Sequence, residues 1–323
     1  MSSDAYPFLS TSLALTVFYS NPRNQWVLSN SLCSIFALLN YHFWTLMVDL
    51  MFTVLVCPYL MVPTLAYLPG GLLQIFGIDG AIQMCFVIIA VQEAMFANVQ
   101  ILESRYMIVA ESGHGKNSLW KKLRIPWLLL NSFVCPVLGV PIYLNRPENQ
   151  DFSRKVALEK LPCLPPEIRS NFGIYVINDT TDTIITMCLI SNCITSFQCP
   201  IFSCASRRAI RLTKSQASEK TLKLQKKFIR SLLIQIYTAL PFFGFPLLFI
   251  LTEYFFGIFN QKFTNFSIII MSLYGLVSTI IMLIVHSPYQ KFVLEFFRLA
   301  TGVRMEKRRM TIVSVTQNVK MFL

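Results

Sequence analysis

The sequence predicts an all-α membrane protein: a seven-transmembrane helix bundle with a short amphipathic helix after the last span. Three observations predict it: little charge, apolar runs of bilayer length, and basic residues gathered in alternate loops. Of the 323 residues, 54% are hydrophobic and only 14% charged, with a mean hydropathy of +0.55. A soluble domain carries roughly 25% charged residues. A bilayer-spanning helix needs about 20 mostly apolar residues, and such runs occupy 43–66, 81–104, 125–144, 183–205, 232–259 and 266–286. Period-two alternation is missing, which argues against a membrane barrel.

A further apolar stretch, 6–20 (YPFLSTSLALTVFYS), is short and is cut off by Asn21-Pro22-Arg23-Asn24-Gln25. It reads as a short or incomplete first span. The signal-sequence alternative lacks a basic n-region and a small-residue cleavage site. The following WVLSNSLCSIFALL is a second place for what that span lacks. Residues 1–300 are thus expected to form the bundle, and 301–323 a basic cytoplasmic tail.

The net charge of +12 raises the question of nucleic acid, and the placement of the charge argues against it. Lys and Arg in short loops beside spans mark the cytoplasmic side. Of the 28 basic residues, 22 fall in the segments after spans one, three, five and seven, and six fall in the alternate segments. The carboxyl terminus is therefore expected inside. The amino terminus is expected outside with seven spans and inside with six. Both N-x-S/T sequons, Asn178-Asp179-Thr180 and Asn265-Phe266-Ser267, fall in segments that the charge pattern assigns to the outside.

Most of the nine cysteines lie within spans, where cysteine behaves as a small apolar residue. Their spacing matches no zinc pattern. Cys163, in LPCLPP, lies in the long outer loop where a disulfide is permitted, and Cys85 is its nearby candidate partner. Three scattered histidines and no nucleophile–base arrangement leave no catalytic constellation. GHGKNS at 113–118 fails the phosphate-loop pattern, because Ala110 stands at the first glycine and Asn117 at the Ser/Thr. The chain is not expected to be an enzyme or to need a cofactor.

Polar residues inside spans are the functional candidates. Glu93 lies near the middle of its span, where a carboxylate costs at least about 2.5 kcal/mol, so it should face the bundle or a water cavity. Gln100, seven residues on, shares almost the same helix face. Tyr274 and Ser278 lie four apart on the last span, and Asp49 is an acid in span two. Glu93 can be a ligand-binding group, or a protonated acid bonded to a neighbouring helix. At the end of span three, Glu103-Ser104-Arg105-Tyr106 brings charge back at a helix end, where long side chains reach the interface. The stretch 206–230 holds nine basic residues and one acid, and KTLKLQKKFIRSLL spaces its apolar positions as a helix. This reads as a sixth span extending into the cytoplasm, where its charge orients the helix against anionic lipid or docks a partner. Pro241 and Pro246 should kink that span. Residues 289–300 place Phe292, Phe296 and Leu299 on one face of a short interfacial helix.

Several stretches carry a family resemblance: NYHFWTLMVDL (40–50), CPYLMVPTLAYLPGGLL (57–73), ESRY (103–106), LRIPWLLLN (123–131), LEKLPCLPP (158–166), KTLKLQKKFIRSLLIQ (220–235) and SLYGLVSTIIMLIVHSPYQKF (272–292). Over roughly residues 38–300 the chain resembles the nematode serpentine chemoreceptors of serpentine receptor class H (Srh). The resemblance implies a receptor of the G-protein-coupled type in the plasma membrane of a chemosensory neuron, at its sensory cilium. Its partners would be a small-molecule odorant or pheromone-like ligand, a heterotrimeric G protein on the cytoplasmic face and membrane lipid, with no nucleic acid. Glu103, Arg105 and Tyr106 then match the coupling motif of seven-helix receptors, with Lys223, Lys226 and Lys227 as docking charge. Asp49 resembles the polar-core acid, in some receptors a sodium site, and Glu93, Gln100, Tyr274 and Ser278 would face the ligand. The sequence departs from the family in its short first span, as in a truncated gene product or a misjudged exon, in Gln290 after Pro288-Tyr289, and in the spacing of Glu103 from Arg105. A ligand-gated channel subunit and a small secondary transporter are the alternatives. The latter lacks the internal repeat usual in that class.

The topology has a direct check. Asn178→Gln and Asn265→Gln are each expected to remove one glycosylation shift on gels, and residues 206–230 should be cleaved by protease only from the cytoplasmic side.

Overall fold

A computed structural model describes residues 22–112, 118–161, 164–169, 173–177, 182–212 and 219–285. The stretch 6–20, the interfacial helix 289–300, the tail 301–323, Cys163 and Asn178 lie outside the described residues. The helices are α1 (Pro22–Leu50), α2 (Leu72–Ile75), α3 (Gly80–Ser112), α4 (Ser118–Leu144), α5 (Gln150–Glu159), α6 (Pro166–Arg169), α7 (Asp182–Leu212), α8 (Glu219–Tyr237), α9 (Phe245–Phe256), α10 (Gln261–Ser272) and α11 (Tyr274–Val285). Among the described residues, four helical stretches are long and apolar enough to cross a membrane: Phe36–Leu55, Gly80–Ala110, Thr186–Leu212 and Gln261–Ile284.

The surface of these helices is apolar. On α4, Ile125, Leu129, Phe133, Val137, Val140 and Leu144 are all exposed, at intervals of three and four residues. A helix in water hides such a stripe, and a helix in lipid presents it. Meanwhile Gln92, Asn98, Glu103, Ser191 and Ser278 are buried between helices. Polar residues inside and apolar residues outside is the pattern of a bundle whose solvent is hydrocarbon.

The first described helix differs from the expected span 43–66. It starts at Pro22, so the WVLSNSLCSIFALL stretch belongs to it, and it ends in a π-helical turn at Met51–Leu55. Proline suits a helix's first turn, because its missing N–H would have had no partner there. The helix stops because Pro58 and Pro63 follow, and proline cannot donate to a helical ladder. Residues 58–69, apolar enough to read as span, instead form a hairpin. Strand β1 (Pro58–Met61) pairs antiparallel with β2 (Ala66–Pro69), and β2 pairs with β3 (Tyr175–Val176) from the segment between α6 and α7. Apolar runs of this length do not reveal by periodicity whether they are helix or strand. This small sheet corrects the all-α expectation.

The sheet is tied to the bundle by side chains. Tyr67 Oη donates to the Gly80 carbonyl at 2.6 Å, and Gln261 Nε2 donates to the Leu60 carbonyl at 2.7 Å. Gln150 at the start of α5 donates to the Val176 carbonyl and accepts from the Val176 N–H, both at 3.1 Å. The roof is thereby fixed to α3, α5 and α10. Burial, with the nearby Asp79 carboxylate, pushes the Tyr175 hydroxyl up to about 12, so it stays a neutral strut at ordinary pH.

The sixth predicted span is interrupted at its first proline. Between α8 and α9 lies a π-helical turn, Leu240–Gly244, that contains Pro241. The lost N–H leaves the ladder open at this point. Helix α8 runs back to Glu219, with Lys223, Lys226, Lys227 and Arg230 exposed and Ile229, Leu233 and Ile236 buried.

Helices α1 and α11 meet at Gly275. Its N–H donates to Asp49 Oδ1 at 3.0 Å, and a Cβ there would fall 1.9 Å from Asp49 Oδ2. Gly275→Ala should therefore destabilise the bundle by about 2 kcal/mol, an ordinary overpacking cost. Combining it with Asp49→Ala should recover part of the loss. Thermal unfolding of the purified protein measures both.

Candidate functional site

Helix α3 occupies the middle of the bundle, and its polar side chains each reach a different neighbour. Gln92 Nε2 donates to Ser191 Oγ at 2.8 Å and Thr195 Oγ1 at 2.9 Å on α7. Asn98 Nδ2 lies 3.4 Å from Tyr274 Oη on α11. Gln100 accepts from Asn40 Nδ2 on α1 at 2.7 Å. Glu103 accepts from Trp120 Nε1 at 3.1 Å and pairs with Arg124 Nε at 3.0 Å, both on α4. Water is scarce inside a bilayer, so an unmet polar group there costs several kcal/mol. The spacing of these residues along α3 therefore helps to set which helix stands where.

A cavity of about 390 Å³ lies between α3, α7, the α8–α9 segment and α10, with Pro58 and Leu60 of β1 at its roofed end. It follows α3 from Met84 to Asn98, roughly 21 Å at 1.5 Å per residue. Its walls are mainly apolar, among them Val87, Val91, Met95, Phe243 and Met271, and its polar groups include Gln92, Asn98, Asn192 and Thr195. None of the described residues that line it is Asp, Glu, Lys, Arg or His. A mostly apolar pocket with a few placed polar groups is the usual form of a small-molecule site.

Glu93, Gln100, Tyr274 and Ser278 are not among the residues that line this cavity. Glu93 is buried one position round α3 from Gln92, and Gln100 faces α1. Tyr274 and Ser278 are buried and both bond to Tyr41 on α1, with the Tyr41 and Tyr274 hydroxyls 3.0 Å apart. Tyr274 reaches the cavity wall through Asn98. Gln92 and Asn98 carried the same sequence signal as Glu93, a polar group deep in a span. Their neutrality made them less conspicuous, and the rotation of α3 decides which of them meets the cavity.

At the other end of α3, Val109 and Ala110 pack with Ala209 and Ile210 of α7 and Ile229 and Leu233 of α8. Tyr106 is half-buried with its ring 6.2 Å from Phe202, and Arg105 is half-buried beside it. Phe202 also faces Trp120 and Trp127 at 5.4 Å each. Tyr106 packs against the cluster that holds the apolar face of α8, and on the exposed side of that helix Lys223 pairs with Glu219 at 2.8 Å while Lys226 and Lys227 are exposed. Glu103 has its partners on α4, across the helix interface. Asp49 serves the α1–α11 contact described above. Cys85 is half-buried near the start of α3. Asn265 lies in the second turn of α10, bonded to Gln261 Nε2 at 2.8 Å, with Ser267 buried behind it. Among the described residues, no group of three or more His, Cys, Asp or Glu is placed to hold a metal.

A bundle of apolar helices with a roofed cavity at one end and a basic face at the other is the architecture of a multi-pass membrane protein. Residues 34–299 match the family model described as Serpentine type 7TM GPCR chemoreceptor Srh, and the chain belongs to that family. No curated protein matches it, and no solved structure does.

The Glu103 contact can be tested alone. Arg124→Met should cost about 3 kcal/mol, because it strands a buried carboxylate. Glu103→Gln keeps the Trp120 bond and should cost less. Unfolding midpoints of the two variants in detergent compare them.

Proposed function

We propose that the protein is a chemosensory G-protein-coupled receptor that crosses the plasma membrane seven times. The cavity takes a small-molecule odorant or pheromone-like ligand, and the basic end faces the cytoplasm with the carboxyl terminus. The observation that carries this reading is the roofed, mainly apolar cavity between α3, α7, α9 and α10 in a chain of a chemoreceptor family. The proposed site of action is the sensory cilium of a chemosensory neuron.

The proposed mechanism runs through the bent sixth helix. Leu240, Phe243 and Gly244 of the π-helical turn line the cavity, and the Phe243 ring lies 4.8 Å from that of Tyr274. A ligand against this turn biases the angle between α8 and α9 through differential contacts with the two helix positions. The cytoplasmic half of α8 carries Lys223, Lys226 and Lys227 exposed, on the helix whose buried Ile229 and Leu233 share a cluster with Tyr106. Outward movement of α8 opens a basic cleft for the G-protein α subunit. Glu103 anchors α4 while this happens, and Asp49 keeps α1 fixed on α11.

A ligand screen of the expressed receptor with a second-messenger readout tests this reading. Val91→Trp, which fills the cavity, should raise the half-maximal concentration of any active compound at least tenfold at unchanged surface density. Arg105→Ala should abolish the response while leaving ligand binding intact. Normal signalling from Arg105→Ala at equal surface density removes Arg105 from coupling. A ligand current that persists without any G protein favours a channel subunit.

A further inference from the structure

We infer that the ligand is an uncharged, mainly apolar molecule carrying a hydroxyl or amide N–H, which it donates to Asn98 Oδ1 at the deep end of the cavity. This rests on the proposed function and names the chemistry of its ligand.

Asn98 lines the cavity and is only 3% exposed. Its amide nitrogen donates to the Ala94 carbonyl at 3.1 Å and lies 3.4 Å from Tyr274 Oη. The Ala94 carbonyl can only accept, so the amide cannot be turned over without setting two acceptors against each other. The orientation is therefore fixed by the network. The oxygen, Oδ1, is left buried with no hydrogen-bond partner among the described residues. A buried amide oxygen without a donor costs about 1–3 kcal/mol, and since Asn98 borders the cavity, a small shift of its side chain brings Oδ1 to a ligand's donor there.

The rest of the wall sets the remainder of the molecule. With no Asp, Glu, Lys, Arg or His among the described lining residues, a charged ligand would lose its hydration with nothing to replace it. That disfavours amines and carboxylates. The second built polar group, Gln92, has its amide nitrogen committed to Ser191 and Thr195. Between Gln92 and Asn98, α3 presents Met95 to the cavity as a soft, adjustable element. An alkyl or terpenoid alcohol fits this description, and a ketone, ester or ether lacks the donor that Oδ1 needs.

The donor also has a consequence beyond affinity. Asn98 connects through Tyr274 to Tyr41 and Ser278. A hydroxyl proton on Oδ1 polarises the amide and strengthens donation from its nitrogen. Occupancy is thereby reported to the contact between α1 and α11.

The test uses two isomers, 1-octanol and 1-methoxyheptane, which share every heavy atom type and differ in the donor. Radiolabelled forms are bound to the purified full chain in lipid nanodiscs, and Val91→Trp gives the background. The expected result is at least tenfold tighter binding of the alcohol. Asn98→Leu should bind the ether as the wild type does and lose the preference. Equal binding of the isomers to wild type means that water satisfies Oδ1, and this overturns the proposal; so does a preference that survives in Asn98→Leu. Failure of both probes to bind overturns it as well. The cavity reading is decided separately, by whether Val91→Trp blocks the compounds that the ligand screen returns. If Asn98→Leu does not fold, the isomer pair on the wild-type chain still decides the matter.

Discussion

Everything in this bundle depends on the need to satisfy polar groups where water is scarce. Helix α3 carries Gln92, Asn98, Gln100 and Glu103, and their partners lie on α7, α11, α1 and α4 respectively. Apolar contacts between helices are weak guides in lipid, since the tails are as apolar as the side chains. Hydrogen bonds are directional and cannot be exchanged for lipid. Four such residues, spread over about three turns of one helix, are enough to place four neighbours around it.

The same constraint explains the two ends. At the roofed end the backbone leaves the helical form, so its N–H and C=O groups need partners of another kind. The three-stranded sheet provides them, with Gln150 closing the outer edge of β3 and Gln261 taking the Leu60 carbonyl. At the opposite end Arg124 and Trp120 neutralise and cover Glu103, so that charge can stand just inside the helix terminus. Between the ends, the π-helical turn at Leu240–Gly244 interrupts the regular helix where it faces the cavity. Irregular backbone at membrane depth is tolerated where it borders protein or a cavity. It is also where a helix bends most readily, so in the proposed function ligand contact and helix movement meet at one place.

Particular residues show what could be read in advance. The apolar run of α4, the basic α8 face and the helix interruption at Pro241 follow from composition and local chemistry, because lipid exposure, positive charge and a missing N–H act one residue or one turn at a time. The hairpin at 58–69 did not follow. Its apolar residues satisfy a span and a buried strand equally, and only pairing with Tyr175–Val176, far along the chain, selects the strand. Glu93 stood out because it is charged, whereas Gln92 beside it faces the cavity.

By itself the sequence determined that this chain lives in a membrane, which family it resembles, and which end of the bundle is basic. These rest on hydropathy, charge placement and short local matches, and none of them needs a partner distant in the chain. The tertiary structure decided which polar residue faces a neighbour and which faces space. One residue along a helix is a turn of about 100°, so the placing of Gln92, Glu93 and Asn98 depends on how α3 is rotated against four other helices. That rotation is fixed only when all the hydrogen bonds across those interfaces are made together.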